Sequence, residues 1–184
     1  MRLHACQFDI AWEDKAANYR RVRELVAANP PEPGSLLVLP EMFATGFSMQ
    51  VETIAEGVGG PTCEFISELA AIHSIYVLGG YTGISPSGMG RNLAFLAGPE
   101  GAPLGTYQKL QPFFKGEQDK YHAGEHLGLH HLGDWLLASF ICYDLRFPEL
   151  FRQATHAGAE LITVIASWPS ARTGHWVTLL QARA

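Results

Sequence analysis

The fold is decided by residues 135–149, WLLASFICYDLRFPE. The apolar run from Trp135 to Ile141 lies between a Gly-Asp turn and charged residues, a pattern that predicts a buried strand. Pro148 can open the next helix, because its missing N–H costs nothing in a first helical turn, and Gly158 can end that helix. Cys142 is therefore predicted to lie at a corner between a strand and a helix, where backbone N–H groups can face an anion.

The rest of the chain alternates predicted strands and helices. Apolar patterning predicts strands at 3–10, 35–39, 75–81, 92–97 and 161–166, and helices at 15–28 and 62–73. A glycine-containing loop is expected from 41 to 60, and a turn at 85–88 separates two strands of a hairpin. Helices interleaved with buried strands indicate an α/β fold, and the hairpin implies that the sheet is mixed rather than wholly parallel.

Composition indicates one globular domain spanning residues 1–184. The chain has 184 residues, of which 47% are hydrophobic and 17% are charged, enough to bury one sizeable core. Its net charge of -5 gives no sign of the clustered Lys and Arg that a nucleic-acid partner requires. We therefore expect no nucleic acid among its partners.

Cysteine usage and apolar patterning indicate the cellular setting. The 3 cysteines, an odd number, argue against a disulfide framework and favour a reducing cytosol. The N-terminus runs directly into a strand pattern, so we predict no signal peptide, and no apolar run is long enough to span a bilayer. A cytoplasmic protein without a membrane partner is the resulting expectation.

Cys142 has a different environment from the other two cysteines. An isolated cysteine usually packs as a small hydrophobic residue, and Cys6 and Cys63 lie in apolar patterns that fit this role. Two charged residues change the interpretation of Cys142. Glu41 directly follows one predicted strand, and Lys109 follows another; each alone is typical of a solvated loop. Together the three side chains supply the nucleophile, the proton carrier and the cation for an oxyanion that thiol-based amide chemistry needs.

Three blocks of sequence carry a resemblance to a known family. Residues 37–47 (LVLPEMFATGF), 107–110 (YQKL) and 140–149 (FICYDLRFPE) resemble, in order and spacing, the three signature blocks of the nitrilase superfamily, the carbon-nitrogen hydrolases. The resemblance covers essentially the whole chain. It implies an αββα sandwich, with mixed sheets between outer helices, and a catalytic triad of Glu, Lys and Cys.

The resemblance assigns roles to individual residues. It places the triad on Glu41, Lys109 and Cys142, and residues 113–121 are similar to a stretch of the family that holds a second glutamate, here Glu117. Glu117 is thus the candidate auxiliary acid, although a solvated loop acid is the alternative. Lys109 and the backbone N–H of Tyr143 would stabilise the oxyanion, and a thioester would form with loss of ammonia before water attacks. We expect no cofactor.

The same resemblance suggests a substrate class. Residues 41–49 and 113–121 are similar to the ω-amidase-like branch, whose members hydrolyse side-chain amides of keto acids such as α-ketoglutaramate; nitriles and N-carbamoyl compounds are the alternatives. Arg146 is a candidate clamp for a substrate carboxylate, and an ion pair with Asp144 or Glu149 is the competing interpretation. Candidate pocket residues, which could equally belong to the core, are Phe43, Phe47 and Trp168.

A histidine-rich segment raises the question of a metal site. His122, His126 and His130 recur every four residues, as ligands on a helix do. Gly124 and Gly128 disfavour that helix, so we expect no metal there.

The end of the chain suggests a different class of function. The sequence stops at Ala184 within a predicted helix, whereas members of the superfamily continue through further strands and a closing helix. We expect the C-terminal part of the usual domain to be missing and its exposed apolar faces to seek a partner, which favours a homodimer or a larger homo-oligomer. The alternative to an enzyme is a truncated, inactive relative that acts as a binding or oligomerisation module.

Overall fold

Two β-sheets lie face to face in the computed structural model, which describes residues 1–114 and 116–184. The larger sheet consists of β1 (Leu3–Ala5), β2 (Leu36–Val38), β3 (Tyr76–Ile84), β4 (Gly90–Ala97), β5 (Pro103–Gln108) and β6 (Tyr121–His122). Strands β1 to β5 are neighbours in that order, and β6 pairs with β4. Because β1, β2 and β3 are parallel while β3, β4 and β5 are antiparallel, the sheet is mixed, as predicted.

The smaller sheet contains the strand that ends at Cys142. It consists of β7 (Gly128–Leu132), β8 (Trp135–Ile141) and β9 (Leu161–Ile165). Strand β8 has the predicted bounds; it pairs antiparallel with β7 and parallel with β9. The helices are α1 (Lys15–Ala28), α2 (Val51–Ile54), α3 (Pro61–His73), α4 (Glu117–Lys120), α5 (Pro148–His156) and α6 (Thr173–Arg183), with 3₁₀ turns at Cys142–Arg146 and Ser170–Arg172.

Alternating side chains of the larger sheet pack into two separate hydrophobic cores. On β3, Val77 packs into the core shared with α1 and α3, whereas Leu78 packs into the core shared with the smaller sheet. On β4, Phe95 and Leu96 divide in the same way, as the period of two in a strand requires. On the far side of the smaller sheet, Phe151 of α5 packs against Phe140, with ring centroids 4.5 Å apart. The layers are therefore helix, sheet, sheet and helix, which confirms the αββα prediction.

Helix α1 begins and ends as the sequence predicts. The Asp14 carboxylate caps its start by accepting the Ala17 N–H at 2.9 Å, which satisfies a backbone donor that the helix leaves free. Val22 and Val26 lie on its buried face and pack against the larger sheet.

No helix in the described ranges has the length and apolarity needed to cross a membrane.

Two segments near the N-terminus differ from expectation. The first strand covers only Leu3–Ala5 rather than 3–10, because its partner β2 is only 3 residues long. Beyond β2, Leu39 donates its N–H to Leu78 of β3, and Pro40 has no N–H to donate. The loop expected from 41 to 60 also contains the short helix α2, whose Val51 and Ile54 are buried.

Candidate active site

Cys142 lies at the predicted corner, as the first residue of the 3₁₀ turn that follows β8. Its backbone has φ 48°, a left-handed conformation that non-glycine residues seldom adopt. Strain of this kind costs about 1–3 kcal/mol and persists only where surrounding contacts hold it. The residue is 9% exposed and lines a cavity of about 70 Å³. The fold thus holds one buried thiol against a small cavity at the cost of backbone strain.

Glu41 lies at a second corner, just beyond β2. Gly80 of β3 donates its N–H to the Pro40 carbonyl at 3.1 Å, and the Gly80 carbonyl accepts the Phe43 N–H at 3.2 Å. A β-carbon on Gly80 would come within 2.6 Å of the Met42 nitrogen and 2.7 Å of the Glu41 Cα. Close contact between two backbones therefore sets the position of Glu41, and only glycine permits it.

The Lys109 ammonium lies between two buried carboxylates. Its Nζ donates to Glu41 Oε1 at 2.9 Å and to Glu117 Oε2 and Oε1 at 2.9 and 3.1 Å. The Lys109 side chain is 1% exposed and both carboxylates are 0% exposed. Asn92 crosslinks the pair by donating from Nδ2 at 2.8 Å to one oxygen of each glutamate. The predicted Glu41, Lys109 and Glu117 therefore meet in one network rather than facing solvent.

The second oxygen of Glu41 is bound from the other sheet. Ser167, just after β9, donates its backbone N–H to Glu41 Oε2 at 2.8 Å. Glu41 therefore accepts hydrogen bonds at both carboxylate oxygens, from groups in both halves of the sandwich. Such bonds fix its orientation and compensate for its removal from water.

Burial and neighbouring charges shift the pKa values in this network. Burial alone would lower the pKa of Lys109, but the charges of Glu41 and Glu117 outweigh it and raise that pKa, so the ammonium stays protonated. Burial also raises the pKa of Glu117, against the opposing effect of the Lys109 charge. Burial raises the pKa of the Cys142 thiol well above its usual range, and the charge of Glu41 raises it further while Lys109 opposes both. Cys142 therefore rests as a neutral thiol beside a carboxylate that can accept its proton.

Aromatic rings and arginines surround the cavity beside Cys142. Of the predicted pocket residues, the structure brings Phe47, Tyr143, Arg146 and Trp168 to this wall. The Arg146 guanidinium lies 5.9 Å from the Tyr143 ring centroid and 5.5 Å from that of Trp168. Its Nη2 contacts His175 Nδ1 at 3.1 Å, and the ion pairs found among residues 1–114 and 116–184 do not include one from Arg146 to Asp144 or Glu149. The role of Arg146 as a clamp for a substrate carboxylate stays a prediction.

Phe43 lies away from the cavity, which corrects its assignment to the pocket. Its ring is fully buried in the core beneath α1 and α3, with centroids 6.2 Å from Tyr19 and 5.9 Å from Phe65. Gly46, whose φ is 76°, lies between Phe43 and Phe47, and the two rings are in different environments. Phe43 is therefore a core residue, which was the alternative to a place in the pocket.

Several residues of the site do not follow from the local apolar pattern of the sequence. Asn92 lies on β4, where the sequence predicts only the start of a strand, and the sequence suggests Asp144 only as a partner for Arg146. A polar residue in an otherwise apolar strand is the sequence signal that indicates Asn92. The cavity also receives residues that patterning did not indicate, namely Phe113, Ser167, Pro169 and Arg172.

The histidine-rich segment is not helical in the structure. His122 ends β6, His126 lies in the loop that follows, and His130 lies on β7, so the fourfold spacing does not fall on a helix. Throughout residues 1–114 and 116–184, no group of three or more His, Cys, Asp or Glu side chains is placed to hold a metal ion.

Comparison with known proteins identifies the family. Residues 2–184 match the carbon-nitrogen hydrolase family. The chain is 33% identical to the omega-amidase YafV of Yersinia enterocolitica, covering 100% of this chain and 70% of that protein. It is 29% identical to the 2-oxoglutaramate amidase of Bacillus subtilis, covering 97% and 69%. A solved CN-hydrolase superfamily protein from Xanthomonas campestris superposes with a TM-score of 0.87 at 31% identity, covering 99% of this chain and 70% of that one. The chain therefore belongs to the carbon-nitrogen hydrolases, the amide-hydrolysing enzymes of the nitrilase superfamily.

Proposed function

We propose that this enzyme hydrolyses a small ω-amide that carries a carboxylate, such as the amide of a keto acid, to the acid and ammonia. The observation that carries the proposal is the buried network in which Lys109 binds both Glu41 and Glu117 beside the Cys142 thiol. A buried ammonium with two carboxylates is costly to assemble, and a neighbouring nucleophile gives it a chemical use.

The first half of the reaction forms a thioester. Glu41 accepts the proton of Cys142 as sulfur attacks the amide carbon, so that no free thiolate is needed at rest. The oxyanion that develops is stabilised by the Lys109 ammonium and by the backbone N–H of Tyr143, the first residue after the nucleophile. When the tetrahedral intermediate collapses, Glu41 gives the proton to the departing nitrogen, and ammonia leaves.

The second half regenerates the thiol. Glu41 takes a proton from water, whose oxygen attacks the thioester carbon, and the same cation and N–H group stabilise the new oxyanion. Collapse breaks the carbon–sulfur bond and returns the proton to Cys142. Glu117 and Asn92 hold the Lys109 ammonium and the Glu41 carboxylate in fixed relative positions during both half-reactions, as their hydrogen bonds indicate.

Three properties of the pocket support the substrate class. The cavity of about 70 Å³ suits a short acyl chain, and its aromatic wall suits methylene groups. Arg146 lines the same cavity, 5.9 Å from the Tyr143 ring centroid and 5.5 Å from that of Trp168, where its guanidinium can bind a carboxylate of the substrate. Two relatives are named for amides of this type, 2-oxoglutaramate amidase and omega-amidase.

The test is ammonia release from 2-oxoglutaramate, compared with a neutral amide of the same length, a nitrile and an N-carbamoyl amino acid. We expect the carboxylate-bearing amide to be preferred at least about 10-fold in kcat/KM, because a buried contact between charges contributes more than about 1.4 kcal/mol. Cys142→Ala should abolish turnover by about 10⁴-fold or more. Preference for the nitrile or the N-carbamoyl compound would reject the substrate class, and an inert protein that elutes as a large assembly would favour the binding module.

A further inference from the structure

Asp144 is a fully buried carboxylate that the proposed reaction does not use. Its side chain is 0% exposed and accepts three hydrogen bonds. Oδ2 accepts the Tyr107 hydroxyl at 2.7 Å and the Ile141 N–H at 2.9 Å, and Oδ1 accepts the Gln111 N–H at 2.8 Å. Burying a carboxylate is costly, and an apolar residue could fill the same space, so these contacts call for an explanation.

The three donors come from the two segments that carry the ammonium and the thiol. Tyr107 and Gln111 lie two residues before and two residues after Lys109 in the sequence. Ile141 immediately precedes Cys142, and Asp144 itself follows two residues later. One carboxylate therefore joins the end of β5 in the larger sheet to the end of β8 in the smaller sheet.

The bond to Ile141 also closes the turn that contains the nucleophile. Because the Ile141 N–H binds the side chain of Asp144, the intervening Cys142 is enclosed in a side-chain-to-backbone turn. This closure supports the left-handed backbone of Cys142, whose φ is 48°. The same carboxylate thus holds the strained residue and the strand that delivers Lys109.

We propose that Asp144 is a positioning residue that fixes the Cys142 thiol relative to the Lys109 ammonium by joining the two strand ends. It acts through the backbone and through Tyr107, and it touches no substrate. The proposal rests on Cys142 being the nucleophile of the proposed function. It does not depend on which amide is the substrate.

The test compares Asp144→Asn with Asp134→Asn, a control at the exposed turn before the same strand. Asn has nearly the same shape, but its NH₂ group opposes one of the donors, so at least one of the hydrogen bonds is lost. We expect kcat to fall about 10–100-fold with KM changed less than about threefold, because only transition-state geometry is disturbed. Alkylation of Cys142 by iodoacetamide, with no substrate present, should slow in parallel, while Asp134→Asn matches the wild type in both assays.

A second variant keeps the proposal testable if Asp144→Asn does not fold. Tyr107→Phe removes one hydrogen bond and keeps the ring that packs edge-on against Phe140, with centroids 6.0 Å apart. We expect a smaller loss of kcat and of alkylation rate in the same direction. Folded Asp144→Asn or Tyr107→Phe protein with a lowered Tm but wild-type kcat and alkylation rate would overturn the proposal and leave Asp144 a structural residue. Since alkylation needs no amide, failure of the ω-amide assignment would show separately, as slow turnover of 2-oxoglutaramate by a wild-type protein that is alkylated normally.

Discussion

Glu41 and Cys142 occupy two corners that look alike and are held in different ways. The Glu41 corner, residues 40–42, ends β2 in the larger sheet; the Cys142 corner, residues 141–144, ends β8 in the smaller sheet. Each contains a non-glycine residue with positive φ, 46° at Met42 and 48° at Cys142. In the first corner the strain falls on the residue after the functional one, and in the second it falls on the functional residue itself.

The means of support differ more than the geometry does. The Glu41 corner is fixed by its own backbone, which packs against Gly80 where any other residue would have a β-carbon. The Cys142 corner is instead fixed by hydrogen bonds to the Asp144 side chain. The first corner is therefore sensitive to any atom added on β3, and the second to any acceptor removed from its turn. One site combines two kinds of vulnerability, and substitutions can probe each separately.

Among substitutions that compare the two corners, the largest effect should come from removing the base while leaving the backbone of the Glu41 corner in place. Glu41→Gln keeps the size of the side chain but cannot accept the thiol proton, so kcat should fall about 10³-fold or more. The matched control is Glu52→Gln, at an exposed position of α2. The kcat of both variants is measured from steady-state ammonia release. A Glu41→Gln enzyme within tenfold of the wild type would assign the proton transfer elsewhere.

Adjacent glycines of β3 distinguish packing of the Glu41 corner from packing of the core. Alanine at Gly80 meets backbone atoms of the corner, whereas alanine at Gly79 meets the ends of the Ile66 and Phe43 side chains at 2.9 and 3.0 Å. Gly80→Ala should destabilise the fold by about 1–3 kcal/mol and lower kcat about 10²-fold, because the backbone must move. Gly79→Ala should cost stability with kcat nearly unchanged. Thermal melts measure the stability of both variants, and steady-state kinetics measure their kcat. Equal losses of kcat in the two variants would contradict the conclusion that Gly80 sets the position of the Glu41 corner.

Two phenylalanines in the loop that follows the Glu41 corner provide a test with a smaller expected effect. Phe47 lines the cavity and lies 5.3 Å over the Lys109 ammonium, whereas Phe43 is part of the core. Phe47→Leu should lower kcat/KM about 10-fold with little change in Tm, since it loses a cation–π contact and part of the pocket wall. Phe43→Leu should lower stability by about 1 kcal/mol and leave KM unchanged. The reverse pattern would return Phe43 to the pocket.

The smallest effect is on stability alone and concerns the Cys142 corner. Burial raises the pKa of Asp144 to about 6 from 3.8, against the lowering effect of its hydrogen bonds and of Lys109. The folded protein therefore binds this proton more tightly than the unfolded chain, so the stability that Asp144 contributes is present below pH 3.8 and lost as the pH rises through about 6. Between pH 4 and 7, the Tm of the wild type should fall relative to that of Asp144→Asn. Parallel Tm curves for the two proteins would show that Asp144 titrates normally.

Local patterns in the sequence predicted the two corners better than they predicted what holds them. The apolar run before Cys142 and the proline after it are signals between near neighbours, and the structure places β8 and α5 accordingly. The first strand was overestimated because its length depends on its partner β2, which is distant in sequence and short. Local apolarity carries no information on the length of a partner.

The residues that sequence reasoning missed act through distant contacts. Asn92 matters because it reaches Glu41 and Glu117, which lie 51 and 25 residues away, and Asp144 matters because it reaches Tyr107, 37 residues away. Phe43 and Phe47 have the same residue type in the same loop, so patterning could not assign one to the core and the other to the cavity. Such distinctions arise only when the two sheets come together.

The hydrogen bond from Ser167 to Glu41 has a consequence for biosynthesis. It joins residues 126 positions apart, so the carboxylate lacks one of its donors until the ribosome has released the segment after β9. Loop closure over that distance makes the site one of the later features to form on a chain that folds as it emerges. A nascent chain containing Cys142 but not yet Ser167 should therefore carry an ordinary thiol, without hydrolytic activity, and the reactive centre should arise only as the second sheet is completed.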